Sequence, residues 1–192
     1  MPPKAKFERD EIIVGALEIV KEQGMSALTA RALGQKLGSS PRPIFTVFDS
    51  MEEVQTEVIA RAKVVYAKYV ERGLGADIAF RGVGTQYILF ALNEPKLFQL
   101  LFMSEQKTQP NISTVLPVIE EHYEEILSSI QNGYSVNKTN AERLYRHLWI
   151  YTHGIATLCA TKTCSFTGEE ISAMMTDVFI SLMKKIKGEE ND

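Results

Sequence analysis

The sequence lacks the features that mark membrane-bound, secreted or disulfide-linked proteins. It contains no run of about 18 apolar residues, so no membrane-spanning helix is expected. Residues 1–13 include lysines but lack the apolar stretch of a secretory signal. The two cysteines, Cys159 and Cys164, are too close in sequence to crosslink distant parts of the chain, and such usage fits free thiols in the cytoplasm. We therefore expect a cytoplasmic protein that does not contact a membrane.

Patterns of catalytic and metal-binding residues are also missing. No metal site is expected, because the histidines and cysteines of the C-terminal half do not repeat on one helical face. These residues are His147, His153, Cys159 and Cys164. No serine lies in a G-x-S-x-G turn, and the carboxylates of residues 120–125 fit a solvated helix face better than an acid/base pair. We expect no cofactor and no enzymatic activity.

Positive charge is not in excess either. The chain of 192 residues has 21 Lys and Arg against 24 Asp and Glu, a net charge of −3. Residues 1–50 contain seven of the basic and six of the acidic residues, a net of +1, which leaves −4 for the remainder. A surface that attracts a polyanion is therefore expected in the first quarter of the chain.

Apolar residues recur at helical spacing along most of the chain. Ile13, Ala16 and Val20 fall at i, i+3 and i+7, and this first helix is expected to end at Gly24, because glycine tolerates the left-handed conformation. No alternating run is long enough to form a sheet, and no internal repeat is present. The sequence predicts an all-α chain of about nine helices, three short ones followed by longer ones.

Cap residues and prolines place the other helices. We predict a second helix between Thr29 and Gly38, a third at residues 41–48 and a long fourth that begins after Asp49 or Ser50. The glycine-rich residues 73–84 are interpreted as a connector rather than a phosphate loop, because no strand precedes them. The remaining predicted helices are a fifth after this connector, a sixth after Pro95, a seventh at about 112–131 with a late start or kink at Pro117, and two last ones at 138–162 and 168–187.

The segment GQKLGSSPRPIFTVF, residues 34–48, has the dimensions of a helix-turn-helix. Its third helix would bury Ile44, Val47 and Phe48 against the first two helices. The opposite face is slim enough to enter a DNA major groove about 12 Å wide. That face carries Ser40, Arg42, Pro43 and Thr46. Two helices joined by a glycine turn also occur in many all-α proteins that do not bind DNA.

Several side chains in this region suit contacts with DNA. Arg42 could pair with guanine or with a phosphate, and Thr46 could approach a thymine methyl. Thr29, at a helix start, offers donors to a phosphate. Lys4 and Lys6 precede the first helix and suit contact with the DNA backbone or the minor groove.

Residues 9–54, RDEIIVGALEIVKEQGMSALTARALGQKLGSSPRPIFTVFDSMEEV, resemble the N-terminal domain of TetR-type transcriptional regulators. The matching features are Arg9, Ile13, Ala16–Leu17, Gly24, Thr29, Leu33, Gly38–Ser39–Ser40, the IFTVF of residues 44–48 and the acidic start of the fourth helix. The resemblance implies a helix-turn-helix DNA-binding domain at residues 1–50 and a helical ligand-binding and dimerisation domain at 51–192. It further implies a dimeric repressor.

Two residues depart from the family pattern. Phe45 stands where the family usually has tyrosine, and Met51 stands where it usually has lysine; both family residues are thought to hold the DNA backbone. Either the protein depends more on Lys4, Lys6, Lys36 and Arg42, or its affinity for DNA is modest. The alternative is an all-α ligand- or partner-binding module with a degenerate helix-turn-helix that no longer binds DNA.

The C-terminal half carries a second resemblance. HLWIYTHGIATL, residues 147–158, is similar to a TetR-type subgroup with a Trp and a His-Gly pair, and EPKLFQLLFMSE, residues 94–105, matches its Pro-plus-aromatic helix. Trp149 and His153 are four residues apart and share one helix face. Gly154 would let a neighbouring helix approach closely. His153 could bind a ligand, although a buried histidine more often bonds a backbone carbonyl.

A cavity for a small, hydrophobic or aromatic effector is expected among the apolar residues of the body. The candidate lining residues are Tyr87, Phe90, Phe98, Phe102, Met103, Tyr123, Trp149 and His153. The last two helices would form a homodimer interface, which places two third helices about 34 Å apart on a near-palindromic double-stranded operator. The effector would release the repressor from DNA.

Overall fold

The structure is a computed structural model that describes residues 6–105 and 109–189. Within these ranges the chain is all α, as predicted, with nine α-helices, two 3-10 helices and no strand. The α-helices are α1 Arg9–Gln23, α2 Ala30–Lys36, α3 Met51–Leu74, α4 Ala79–Asn93, α5 Pro95–Phe102, α6 Val115–Ile119, α7 Tyr123–Tyr134, α8 Lys138–Ala160 and α9 Gly168–Glu189. The 3-10 helices are Met25–Ala27 and Ile44–Thr46.

No helix in the described ranges combines the length and the apolar character needed to cross a membrane.

Contacts divide the chain into two compact units. The first unit comprises Met1–Tyr66 and Glu94–Ser104, and the second comprises Ala67–Asn93 and Glu105–Asp192. One boundary therefore falls inside α3. The functional division after residue 50 stays a prediction.

The first unit is built around α1, which packs against α2 and α5. As predicted, α1 ends at Gly24, whose φ of 87° is in the region that favours glycine. Thr29 caps α2 by accepting a hydrogen bond from the N–H of Ala32 at 3.1 Å. The buried apolar side chains of this unit include Ile12, Ile13, Ala16, Ile19, Val20, Leu33, Ile44, Phe48, Val54, Val58, Leu97 and Phe98.

The predicted third α-helix, residues 41–48, was wrong in type. Only Ile44–Thr46 is helical, as a single 3-10 turn. Next to this turn, the Ile44 N–H donates to the Pro41 carbonyl and the Phe48 N–H donates to the Ile44 carbonyl, each at 3.0 Å. Pro41 and Pro43 lack N–H donors, and a proline disfavours the α conformation at the residue before it, here Arg42. Two prolines so close together thus leave room for one tight turn.

In the second unit, α8 packs against α4, α7 and α9. The prediction that residues 73–84 form a connector was wrong in extent, because only residues 75–78 lie between α3 and α4. A Cβ on Gly82 would lie 2.3 Å from the carbonyl oxygen of Gly73, and one on Gly73 would lie 2.6 Å from Cα of Val83. These glycines serve a close crossing of two helices and not a long loop.

The predicted seventh helix, residues 112–131, is two helices. Helix α6 includes Pro117 in its first turn and ends at Ile119, and α7 begins at Tyr123. Glu120 is extended, with φ −114° and ψ 108°, which breaks the helix. The last two helices, α8 and α9, agree with the predicted ranges to within two residues.

Candidate functional site

The turn after α2 folds tightly against that helix. A Cβ on Gly34 would lie 2.9 Å from the backbone nitrogen of Pro41, so only glycine fits there without a shift. Gly38 has a φ of 63°, and the Ser39 N–H donates to the Gly34 carbonyl at 2.8 Å. This turn fixes the position of the segment that follows, which we name the reading segment and define as residues 40–48.

The reading segment has a buried side and an exposed side. Ile44 and Phe48 are fully buried in the first unit. The exposed side chains are Ser40, Arg42, Phe45 and Thr46, while Pro43 is half-buried. The 3-10 turn thus presents outward the residues that the sequence nominates for DNA contact. Their role in DNA binding stays a prediction.

The remaining predicted DNA contacts lie around this segment. Thr29 is exposed at the start of α2, and Met51 is half-buried as the first residue of α3. Nζ of Lys6 donates to Oγ of Ser39 at 2.9 Å, which holds this lysine beside the turn. Lys4 lies outside the described residues.

The cations differ in how far acidic neighbours offset them. Nζ of Lys36 is 2.9 Å from a carboxylate oxygen of Glu18 and 3.9 Å from one of Glu22, and the hydrogen bond with Glu18 raises the pKa of Lys36. Arg42 has no ion-pair or hydrogen-bond partner within the described ranges. Arg42 is therefore more available to a phosphate or a base than Lys36.

Arg31 is a candidate that the sequence reasoning missed. It is exposed on the first turn of α2, two residues after the cap Thr29, and it has no partner in the described part of the chain. A cation is disfavoured at the positive end of a helix dipole, so an anion bound at this helix start would stabilise the charge of Arg31. The signal was an arginine in the first turn after a predicted cap.

In the second unit, three of the predicted effector residues form one cluster, Tyr87 of α4 with Trp149 and His153 of α8. The hydroxyl of Tyr87 lies 2.9 Å from Nδ1 of His153, and the Trp149 and His153 rings stack with centroids 5.4 Å apart. Burial raises the pKa of Tyr87 far above its ordinary value and lowers the pKa of His153. Both groups are therefore neutral at pH 7.

Hydrogen bonding orders this effector cluster. Trp149 also bonds Tyr87, and because an indole N–H can only donate, the phenol oxygen accepts. The Tyr87 hydroxyl forms a second hydrogen bond with Nδ1 of His153, and the tautomer of the imidazole decides which of the two groups donates. The sequence placed Trp149 and His153 on one helix face and named Tyr87 as a candidate lining residue, but no spacing indicated that Tyr87 would bond His153.

The other predicted effector residues lie in different surroundings. In the second unit, Phe90 packs edge-on to Tyr69 at 5.2 Å between centroids, and Tyr123 stacks on Tyr145 at 5.7 Å. In the first unit, Phe98 packs on Phe102 at 5.4 Å. Met103, also in the first unit, is exposed. The structure therefore divides the eight predicted residues between the two units.

Two polar residues near the effector cluster were also missed. Thr157 follows His153 by four residues on α8, and its buried hydroxyl has no hydrogen-bond partner among the described residues. Glu120 is buried, accepts a hydrogen bond from the His122 N–H at 3.0 Å, and contributes to the raised pKa of Tyr87. Thr157 could have been found from the sequence, because Trp149, His153 and Thr157 follow each other at intervals of four residues on one helix face. The burial of Glu120 could not, because nothing distinguishes it from the other carboxylates of residues 120–125.

A groove of about 380 Å³ also occurs in the second unit, at the crossing of α3 and α4. It is lined by residues between 72 and 86, among them Arg72, Asp77 and Arg81. None of the predicted effector residues lines it, so the effector cluster remains the candidate site. No group of three or more His, Cys, Asp or Glu that could hold a metal ion occurs within residues 6–105 and 109–189.

Comparison with known proteins agrees with this architecture. Residues 80–179, more than half of the chain, match the family model described as tetracyclin repressor-like, C-terminal domain. The chain belongs to the tetracyclin repressor-like family. A relative described as the uncharacterized HTH-type transcriptional regulator YobS of Bacillus subtilis (strain 168) is 23% identical over 176 residues, which cover 88% of this chain and 87% of the relative.

The family match lies in the half of the chain that carries the effector cluster. Tyr87, Trp149 and His153 all fall within the tetracyclin repressor-like residues 80–179. The predicted TetR-type resemblance is therefore confirmed at the level of the family. Assignment to the Trp-His-Gly subgroup stays a prediction.

Proposed function

We propose that this protein is a transcriptional repressor that binds a near-palindromic operator as a two-fold dimer and is released by a small hydrophobic or aromatic effector. The observation that carries this proposal is the reading segment, in which Ile44 and Phe48 are buried while Arg42, Phe45 and Thr46 face outward. Membership of the tetracyclin repressor-like family supports it, as does a relative named as a transcriptional regulator.

We assign the DNA contacts to the reading segment and to the residues around it. We assign base contacts to the exposed side of the reading segment, Arg42 above all, since an arginine suits the O6 and N7 acceptors of guanine. We assign phosphate contacts to Thr29 and Arg31 at the start of α2 and to Lys6 beside the turn. Residues 1–50 would then be the DNA-binding domain, acting in the cytoplasm.

The dimer interface is assigned to α8 and α9. Ile150, Gly154 and Leu158 form an exposed stripe on α8 at i, i+4 and i+8. In α9 only Met183 and Ile186 are buried. Two amphipathic helices that leave apolar side chains in water can bury them by forming a four-helix bundle with their mates.

The effector is assigned to the body at residues 51–192, beside Trp149 and His153. The stacked rings of Trp149 and His153 would contact the apolar part of the effector. Trp149, His153 and Gly154 support membership of the Trp-His-Gly subgroup. Binding would shift α3 and with it the separation of the reading segments; a coupling of about 1–3 kcal/mol lowers operator affinity about 5–150-fold.

A second candidate function is a helical ligand- or partner-binding module that no longer binds DNA. Three observations favour it: Lys36 is paired with Glu18, and Phe45 and Met51 lack the polar groups of the family pattern. Salt distinguishes the two, because phosphate neutralisation makes DNA affinity fall steeply as salt rises.

The test is a selection of bound sequences from genomic fragments, followed by a salt titration of the selected fragments. We expect a near-palindromic sequence whose affinity falls steeply with salt. Small molecules that release the protein from this sequence should also change the fluorescence of Trp149, the only tryptophan. Failure to enrich any sequence at low salt would contradict the repressor and favour the second candidate.

A further inference from the structure

Phe45 occupies an unusual position for a phenylalanine. All nine phenylalanines of the chain lie in the described ranges, and Phe45 alone is exposed, with 46% of its surface in water. A single exposed apolar side chain is common on protein surfaces. Here, however, Phe45 lies between Arg42 and Thr46 in the sequence, and all three are exposed on the side of the reading segment that is assigned to DNA.

The exposed side of the reading segment has few hydrogen-bond donors. The Thr46 hydroxyl donates to the Pro43 carbonyl at 2.6 Å and is thus satisfied within the turn. Pro41 and Pro43 have no N–H, and Phe45 has no polar side-chain atom. Ser40 and Arg42 remain as side-chain donors. The part of this surface that Pro43 and Phe45 form can therefore recognise only an apolar group.

In the major groove, thymine differs from the other bases by its C5 methyl group, which side chains such as Phe and Thr contact. A phenylalanine cannot donate a hydrogen bond to a phosphate, as a tyrosine at the same position could. We infer that Phe45 reads the methyl group of a thymine in each operator half-site. This inference rests on the proposed DNA-binding function, and it makes Phe45 a specificity-determining residue.

The inference sets the size of the expected effect. Removing one methyl from such a contact exposes the equivalent of one buried CH2 group, which corresponds to about fourfold weaker binding. The two half-sites of a symmetric operator contribute separately, so removing both methyls should weaken binding about fifteenfold. Ser40 and Arg42 contacts should be unaffected, since the hydrogen-bonding groups of the bases do not change.

The experiment replaces thymine by deoxyuridine, one symmetric pair of positions at a time, in the operator selected from genomic fragments. Binding is measured for the wild type, for Phe45→Ala and for Phe45→Tyr. We expect one symmetric pair at which deoxyuridine weakens the wild type but leaves Phe45→Ala unaffected. The same change should weaken Phe45→Tyr less than the wild type, because the tyrosine hydroxyl can bind a phosphate instead. Circular dichroism checks the helical content of each variant. If Phe45→Ala fails to fold, Phe45→Gln, which keeps a long side chain without an apolar ring, takes its place.

Each other outcome counts against the inference. Equal affinity for thymine and deoxyuridine at every position would overturn it, as would a selected operator without thymine. A loss shared equally by wild type and Phe45→Ala would assign the methyl contact to another residue, such as Thr46. In all three cases the protein still binds a specific operator, so the proposed function survives; absence of any operator would instead remove the proposed function itself.

Discussion

The guanidinium of Arg9 lies over the ring of Phe48, with its central carbon 4.2 Å from the ring centroid. The same group donates from Nη2 to Glu53 at 2.8 Å and to Glu57 at 2.9 Å. Both carboxylates raise the pKa of Arg9. One side chain of α1 therefore joins the buried end of the reading segment to the first two turns of α3.

This relationship predicts that Arg9 positions the reading segment without touching DNA. Arg9→Ala should weaken binding to the selected operator several-fold while the helical content stays near that of the wild type. Arg9→Lys is the matched control, because it keeps the charge but lacks the planar fork that reaches two carboxylates, and it should restore only part of the affinity. Competition binding measures the operator affinities of the wild type and the two variants. Unchanged operator affinity in Arg9→Ala would remove the positioning role.

His153 predicts a pH dependence of stability. Burial lowers its pKa from 6.5, so the unfolded chain binds a proton at higher pH than the folded chain. The contribution of His153 to stability is thus present above about pH 6.5 and is lost as the pH falls below it. Urea denaturation at about pH 7.5 and about pH 5.5 measures the free energy of unfolding, which should decrease less between these pH values for His153→Gln than for the wild type. Equal decreases would assign the pH dependence to other groups.

Gly154 predicts a test of the dimer interface. A Cβ at Gly154 would meet no other described atom within 4 Å, and the same holds for Gly133 on α7. If a helix of a second chain packs on α8, Gly154→Leu should shift sedimentation from dimer to monomer, whereas Gly133→Leu should not. Dimers of equal stability in both variants would place the interface elsewhere.

Met51 predicts a change in salt dependence. It is the first residue of α3, directly after Ser50, whose Oγ accepts from the Glu53 N–H at 3.2 Å. Met51→Lys adds one lysine to each protomer of the dimer, so it should tighten operator binding and steepen the plot of log affinity against log salt by about 1.8, which is about 0.9 for each half-site. Met51→Gln, which has similar length and no charge, should leave the slope unchanged. An unchanged slope in Met51→Lys would mean that α3 begins away from the DNA backbone.

The helices that periodicity and caps define were predictable from the sequence. Helix α8 follows its cap Asn137, which accepts from the Asn140 N–H at 2.9 Å, and it has the expected length. The element boundaries were predicted wrongly where one residue type, here glycine, occurs both in turns and inside closely packed helices. Gly73 and Gly82 mark a turn in a sequence pattern, yet here they permit two helices to cross at contact distance.

The candidate site was predictable only in part, for a physical reason. The outward direction of Arg42 and Thr46 follows from local apolar spacing. The 3-10 turn, in contrast, forms because Pro41 and Pro43 disfavour an α-helix at residues 41–48, and the spacing of apolar residues does not show this effect. The Tyr87–His153 hydrogen bond joins residues 66 positions apart. The pairing of Lys36 with Glu18 likewise depends on how α1 packs on α2, which no spacing within one helix reveals.

Arg42→Ala provides the most direct test of whether the exposed side of the reading segment recognises a DNA sequence. Affinity should be measured for the selected operator and for a random duplex of equal length at matched salt. We predict a loss of about 1–3 kcal/mol for each operator half-site and a much smaller loss on the random duplex. Equal losses on both would reassign Arg42 to a phosphate, and no measurable binding of the wild type to either duplex would contradict the account.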